Sequence, residues 1–170
     1  MDAGVTLSVP QADDIVKILD LPLAIAQGAN TKYLLTKHFG FDERQSDYYL
    51  EVGEMLGFVN REEGMYILTS DGKKYLRMDP PRQKLAVTRR MLAIPIVAHV
   101  VAELITSERK VLSKDEVESI IEERAGIHGT TVPRRAHTLM AWFEWMGEET
   151  GVFSVDGDTI KLVYSPMNGR

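Results

Sequence analysis

The feature that most constrains this fold is the order of elements predicted for the first half of the chain. Apolar residues at helical spacing, with capping residues beside them, predict three helices, and two short runs rich in β-formers follow. The helices are predicted at about residues 12–19, from a cap at Asn30 or Thr31 to about Gly40, and at residues 43–56. The strands are predicted at residues 58–60 and 65–68. Pro22 is expected to break the chain after the first helix. This order predicts a small unit of three helices and a β-hairpin.

The same order recurs in the second half of the chain. Ser113 is a capping residue before a helix, Pro133 suits the first turn of the next helix, and Gly147 is expected to close it. The pair Asp156-Gly157 is a strong signal for a two-residue hairpin. The predicted helices are residues 114–124 and 133–147, and the predicted strands are residues 152–155 and 159–164.

A shift of 90 positions relates the two halves. It aligns Arg44 with Arg134 and Gly57 with Gly147. Helix, helix, turn, helix and hairpin is the order of a winged helix-turn-helix. The predicted fold class is therefore mainly α with small β-hairpins (α+β), built as two tandem winged helix-turn-helix units.

The boundary between the units is predicted at two prolines. Asp79-Pro80-Pro81 interrupts the helical pattern, which gives a first unit at residues 1–79 and a second at residues 80–170. The second unit opens with a long helical pattern, residues 82–105, that Pro95 is expected to kink or divide. This pattern carries an apolar stripe able to build a homodimer or dock a partner: Leu85, Leu92, Ile96, Val100 and Leu104.

Composition and motifs exclude several classes of function. The chain has no cysteine, which excludes disulfides and thiolate metal sites, and its four histidines have no ligand spacing. It contains no Gly-rich phosphate loop, His-Glu metal motif, nucleophile elbow or nuclease D/E-x-K pair. We expect no enzyme activity, cofactor, metal or small-molecule substrate. An acidic N-terminus and the lack of a long apolar run predict a cytoplasmic protein with no membrane role.

Charge is unevenly distributed along the chain. The net charge is −5, from 20 basic and 25 acidic residues, which disfavours nucleic-acid binding by bulk electrostatics. Residues 1–79 carry 8 Lys/Arg and 13 Asp/Glu, whereas residues 80–170 carry 12 of each. A surface that binds phosphate is therefore expected in the second half.

Residues near the start of the third helix of each unit are the candidates for contact with DNA, because that helix enters the major groove in a helix-turn-helix. The candidates are Arg44, Gln45, Ser46 and Tyr48 in the first unit, and Thr131, Arg134, Arg135 and His137 in the second. Arginine can bond guanine and glutamine can bond adenine. The alternative for either Arg44 or Arg134 is an ion pair with a carboxylate at a helix start.

Several neighbouring residues favour other interpretations. Outward-facing acidic residues, Asp47, Glu51 and Glu54, disfavour DNA binding by the first unit alone. Trp142 and Trp145 are assigned to the core, and an exposed Met140 with Phe143 would mark a protein contact. A basic cluster could grip a phosphate backbone or form a solvated helix face: Arg82, Lys84, Arg89 and Arg90.

The stretch FGFDERQSDYYLEVGEMLGFV with the later MYILTSDGKKYL resembles a winged-helix module of prokaryotic restriction-modification and related defence proteins. The residues that match are Arg44, Gln45, Tyr48, Tyr49, Leu56, Gly57, Leu68, Thr69 and Gly72. The stretch PRRAHTLMAWFEWM is similar to the partner module, and the resemblance covers residues 12–164. It implies a DNA-binding regulator or the target-recognition part of a restriction enzyme, with double-stranded DNA as partner. The alternative is a protein-interaction or homodimerisation module that binds no nucleic acid.

Overall fold

The structure, a computed structural model, describes residues 4–163. They form two compact units. The first, called here the N-unit, is Pro10–Ile94, and the second, the C-unit, comprises the chain from Pro95 together with the residues up to Val9. The division at Pro95 differs from the predicted one between residues 79 and 80.

The two prolines near residue 80 start a helix instead of separating two units. The Asp79 carboxylate accepts a hydrogen bond from the Arg82 N–H, and Pro80 and Pro81 occupy the first turn of the helix that follows. Proline is tolerated there because the first N–H groups of a helix have no intrahelical partner. The helix therefore belongs to the N-unit.

The N-unit contains the three predicted helices and the hairpin, followed by two further helices. Its elements are α1 (Ile15–Ala26), α2 (Lys32–Phe39), α3 (Glu43–Met55), β1 (Val59–Glu62), β2 (Met65–Leu68), α4 (Ser70–Leu76) and α5 (Pro80–Ala93). Gly40 ends α2 in the left-handed conformation, as predicted, and of the two candidate caps it is Thr31 and not Asn30 that caps the helix.

The expectation that Pro22 ends the first helix is wrong. Pro22 lies inside α1 and is buried, and so are Leu21, Ala24 and Ile25 around it. An interior proline costs a helix roughly 3 kcal/mol. Burial of this apolar face offsets that cost, so the helix continues to Ala26.

The C-unit repeats the order of elements and adds one strand. Its elements are α6 (Pro95–Thr106), β3 (Val111–Ser113), α7 (Lys114–Ala125), α8 (Val132–Thr150), β4 (Phe153–Asp156) and β5 (Thr159–Leu162). The end of the predicted last strand, Tyr164, lies outside the described residues. Pro95 divides the long helical pattern, as predicted, and β3 was too short to give a sequence signal.

Gly147 does not close α8, contrary to the prediction. The helix runs on to Thr150 and ends at Gly151, whose φ of +70° is the left-handed conformation of a helix stop. A Cβ atom on Gly147 would lie 2.2 Å from the Phe153 carbonyl oxygen. Gly147 is needed because the backbone of β4 passes directly over the helix.

The hairpins of the two units have the same register at a shift of 94 positions. Val59 pairs with Leu68 in the N-unit, and Phe153 pairs with Leu162 in the C-unit. Gly57 therefore corresponds to Gly151 and not to Gly147, and both end a helix with positive φ. The predicted repeat is present, but the predicted shift of 90 is wrong by about one helical turn.

The sheets differ in one respect. The N-unit has two antiparallel strands, β1-β2, and the C-unit has three, in the order β3-β5-β4. The fold is mainly α with two small antiparallel sheets, an α+β fold as predicted. Between residues 4 and 163, no single helix is long and apolar enough to cross a membrane.

The predicted stripe of the long helix does not form one exposed face. Ile96, Val100 and Leu104 lie in α6 and are fully buried within the C-unit. Leu85 lies in α5 of the N-unit and is 47% exposed. A homodimer through a continuous stripe is therefore not available, because most of its side chains already form a core.

Candidate nucleic-acid interface

The N-terminus of α3 is already occupied by a carboxylate. Asp42 accepts a hydrogen bond from the Gln45 N–H (2.7 Å), and the Gln45 side-chain oxygen accepts one from the Asp42 N–H (3.1 Å). This capping box satisfies two of the N–H groups that a phosphate would otherwise bind. The Gln45 side chain thus serves the helix end, and Glu43 adds a further negative charge in the first turn.

Arg44 and Tyr48 interact with each other on the surface of α3. The Arg44 Nε donates to the Tyr48 hydroxyl at 2.6 Å, and its guanidinium carbon lies 5.8 Å from the centre of the Tyr48 ring. Arg44 is exposed and Tyr48 is half-buried. In the structure, Arg44 thus contacts an aromatic side chain, and not the carboxylate that the alternative interpretation expected.

Ser46 belongs to the interior and not to a surface that could contact DNA. Its side chain is 0% exposed, and its hydroxyl is 2.8 Å from the Thr36 hydroxyl of α2. The hydrogen bond between the two helices satisfies a buried polar group. Sequence reasoning chose Ser46 because it counted positions from the helix start without fixing which face is buried.

The outer face of α3 is acidic, as predicted. Asp47, Glu51 and Glu54 are exposed. Lys32 of α2 lies 2.7 Å from Asp47 and 4.0 Å from Glu43, and the hydrogen bond to Asp47 raises the pKa of Lys32. Lys32 is thus paired with carboxylates of this face. The face as a whole remains acidic and repels phosphate.

The N-terminus of α8 has the opposite character. Thr131, at the N-cap position, makes no side-chain capping bond within the part of the chain that the structure describes, and the first turn has no acidic residue. Arg134 is exposed and Arg135 is half-buried in that turn. The positive end of the helix dipole favours an anion here.

Arg135 differs from Arg134 in its surroundings. The Arg135 Nε is buried and has no hydrogen-bond partner among residues 4–163. A buried donor without a partner costs free energy. Arg134 takes part in an interaction of its own, and its exposure makes it the better placed of the two to reach a ligand.

His137 lies one turn further along α8 and is exposed. It lines a depression of about 270 Å³ between the helix and the β4–β5 hairpin, together with Lys114 and Asp158. The Lys114 N–H donates to the Asp158 carbonyl at 2.7 Å. Sequence reasoning missed Lys114, because only the folding of the hairpin against the start of α7 brings it near His137.

The expected protein contact at Met140 and Phe143 is not present as a surface. Met140 is 7% exposed and Phe143 is fully buried, where its ring meets Phe153 edge-on at 5.0 Å between ring centres. Trp142 is fully buried, as predicted, whereas Trp145 is only half-buried. These apolar residues of α8 hold the helix on the sheet.

The basic cluster of α5 is partly used within its own unit. Arg90 pairs with Asp71 at 2.8 Å, which lowers the pKa of that carboxyl, and Arg82 lies 3.9 Å from Asp79. Arg89 is exposed. Arg82 and Arg90 thus have carboxylate partners, which favours the solvated helix face over a grip on phosphates.

No group of metal-ligating side chains occurs within residues 4–163. The candidate site is therefore the start of α8, with the exposed cation Arg134, the buried Nε of Arg135 and the exposed His137 on the next turn. Such a site can hold a phosphate group and present side chains to the groove of a duplex.

Fold and site together define a tandem of small α+β units, each with a third helix and an antiparallel hairpin. The chain belongs to a family described as a domain of unknown function, DUF7226, whose model matches residues 17–150. The match extends across the division at Pro95, so both units are part of one family domain. Neither the curated proteins nor the solved structures contain a match to this chain.

Proposed function

We propose that this protein binds double-stranded DNA through the C-unit, with the N-terminus of α8 directed at the duplex. The observation that carries the proposal is the first turn of α8, which contains Arg134 and Arg135 and no acidic residue. No side chain of the described residues caps this helix end. Helix N-termini and arginine side chains supply many of the phosphate contacts of DNA-binding proteins.

The order of elements supports the same proposal. In the C-unit, α7 and α8 are followed by the β4–β5 hairpin, and in the N-unit α2 and α3 are followed by the β1–β2 hairpin. A helix-turn-helix followed by a hairpin is the arrangement of a winged helix, whose third helix reads the major groove. We interpret both units as winged helices and α8 as the recognition helix.

The proposed contacts are of two kinds: contacts with phosphates, which position the protein on the duplex, and contacts with base edges, which read the sequence. A backbone phosphate lies beside Thr131 at the N-cap position, where the positive end of the α8 dipole favours it. Arg134 and His137 follow one another on the exposed side of α8 and reach base edges. Arg135 supports the bound phosphate from the inner side. Glu144, further along the helix and exposed, confines the contact to its beginning.

The N-unit takes a different part in this function. Its equivalent helix end is filled by Asp42, and its outer face carries Asp47, Glu51 and Glu54. It does not bind DNA by itself. The resemblance to restriction-modification modules supports a role as a regulator or as the target-recognition part of a larger enzyme, acting in the cytoplasm where prokaryotic DNA lies.

The test is retention of a randomised duplex pool by the whole chain at low and moderate salt. We expect retention at low salt and a log-log slope of about −0.9 per phosphate contacted, because counterions are released. Arg134→Ala should weaken binding more than Arg44→Ala, the matched control on the acidic helix. No retention at either salt, or equal losses for both variants, would contradict the proposal.

A further inference from the structure

One N–H group of β2 lacks the partner that its counterpart has in the C-unit. The Leu162 N–H on the outer edge of β5 donates to the Lys110 carbonyl at 2.9 Å. Leu68 is the residue 94 positions earlier, in the same register of its hairpin. No hydrogen bond joins the Leu68 N–H to any residue that the structure describes.

The direction of this N–H follows from the ladder. Backbone groups of an antiparallel strand alternate between its two sides. Thr69 donates to the Phe58 carbonyl on the β1 side, and Tyr66 donates to the Asn30 carbonyl on the other side at 2.7 Å. The Leu68 N–H therefore points to the same side as Asn30. Among residues 4–163, the bond from Tyr66 to Asn30 is the only backbone hydrogen bond that β2 makes on this side.

A shorter connection accounts for the open edge. In the C-unit, residues 107–113 join α6 to α7 and supply the strand β3, which covers the edge of β5. In the N-unit, only residues 27–31 join α1 to α2, and they reach β2 with Asn30 alone. The N-unit thus has space for a third strand on this edge, but its α1–α2 connection is too short to supply one.

A groove of about 670 Å³ runs along this edge. Its apolar lining includes Ile25, Leu68 and Leu76. The charged residues that line it are Lys73 and Arg77, both exposed and one turn apart on α4. The groove therefore combines the outward N–H group of Leu68, an apolar floor and a positive rim.

We propose that this groove binds an extended, acidic segment of a partner protein as an added strand on β2. A main-chain carbonyl of the segment accepts from the Leu68 N–H, as Lys110 does from Leu162 in the C-unit. An apolar side chain lies against Ile25 and Leu76, and an Asp or Glu side chain meets Lys73 and Arg77. Strand addition takes its affinity from main-chain bonds and its specificity from alternate side chains. The proposal rests on N-unit residues alone and is independent of DNA binding.

The experiment selects peptides from a random decapeptide display library on the whole chain and measures the binding of the enriched peptides by fluorescence anisotropy. We expect sequences in which apolar and acidic residues alternate. Lys73→Glu and Arg77→Glu should each weaken binding about tenfold, the effect of losing one charge-assisted hydrogen bond. Lys74→Glu, on the same helix but off the groove lining, is the matched control and should bind normally.

A second measurement follows the backbone itself. Amide hydrogen exchange of Leu68 should slow when the peptide is bound, while exchange of Leu162 stays unchanged. No enriched peptide, equal losses for the Lys73 and Lys74 variants, or unchanged Leu68 exchange would overturn the proposal. Self-association of the chain that Lys73→Glu abolishes would assign the groove to a second copy and would also overturn it.

Discussion

The third helices of the two units, α3 and α8, are followed by hairpins of the same register but have opposite electrostatics at their N-termini. Asp42 and Glu43 occupy the start of α3, whereas the start of α8 carries Arg134 and Arg135 and no capping side chain. The common hairpin shows that the scaffold is repeated. In the proposed function, anion binding therefore depends on one helical turn and not on the fold.

The turn that differs is an addition to α8. At the shift of 94 positions, Glu43 at the start of α3 corresponds to His137, so residues 132–136 of α8 have no counterpart in α3. The shift of 90 had suggested that Arg134 is equivalent to Arg44. At the shift of 94 the two residues do not correspond. Arg134 and Arg135 lie on this extension, which is specific to the C-unit, whereas His137 corresponds to Glu43.

The largest expected effect concerns the glycines that pack each third helix on its hairpin. Gly147→Ala should destabilise the C-unit by about 3 kcal/mol, because its Cβ meets the Phe153 carbonyl oxygen at 2.2 Å and a backbone atom cannot move cheaply. Gly53→Ala meets only side chains, at 2.8 Å from Leu21 and 3.0 Å from Val59, and gains helix propensity, so about 1 kcal/mol or less is expected.

Urea unfolding measures both variants. Tryptophan fluorescence follows the C-unit, because Trp142 and Trp145 both lie in α8, and far-ultraviolet circular dichroism follows the whole chain. Equal losses for the two glycines would mean that the hairpins do not approach their helices as the structure has them.

The next effect concerns the arginines. Arg134→Glu should reduce the affinity for duplex DNA by at least the ~1–3 kcal/mol of a good base contact, because it removes a cation and adds an anion at the helix end. Arg44→Glu should change it little, since Arg44 stands among carboxylates. Anisotropy with a labelled duplex at fixed salt is the measurement, and a larger loss for Arg44→Glu would reverse the assignment of the two helices.

A smaller effect separates the two helix caps. Asp42→Ala should cost about 1 kcal/mol of stability, because it removes the hydrogen bond to the Gln45 N–H. Thr131→Ala should cost almost nothing, since Thr131 makes no capping bond with any described residue. Thermal unfolding of both variants tests the pair, and a similar loss at Thr131 would show that its hydroxyl caps α8.

The smallest effect is a difference at alkaline pH. Tyr49 of α3 corresponds to Phe143 of α8, and burial raises the pKa of Tyr49 to about 12. Its folded pKa lies above the ordinary value near 10, so its contribution to stability is complete below about pH 10 and is lost as the pH rises toward 12. Burial also raises the pKa of Tyr75 in the same unit.

The N-unit should therefore lose stability over that range before the C-unit does. Tyr49→Phe should weaken the dependence, at the cost of the bond that the Asp14 N–H donates to the tyrosine hydroxyl. Hydrogen exchange resolved by unit, followed from pH 9 to 12, is the measurement; equal losses in both units would contradict the assignment.

Local signals in the sequence predicted much of this fold. Thr31, Gly40 and Ser113 mark helix ends by their own chemistry, and Pro95 divides a helix as expected. Pro22 and Gly147 were misread because their roles depend on tertiary packing, the first buried within a core face and the second beneath a strand. Neither contact can be recognised from a local sequence pattern.

The candidate site was predictable in part for the same reason. The composition of the second half and the Arg134-Arg135 pair pointed to α8, and both residues lie at its start. The burial of Ser46, the engagement of Gln45 in a capping box and the approach of Lys114 to His137 depend on which helix faces meet. The groove beside β2 could not be predicted, because it results from the different lengths of the α1–α2 and α6–α7 connections. The shift of 90 did not align these connections correctly.

The central claim is that the start of α8, and not the start of α3, meets the duplex. The most direct test is a heteronuclear NMR titration of the whole chain with a short duplex of random sequence at low salt. The account predicts shifts of the backbone amides of residues 128–138, with those of residues 42–48 unchanged. Shifts confined to residues 42–48 would contradict it. Unchanged amides of residues 128–138, at a duplex concentration where amides near other basic side chains already shift, would also contradict it.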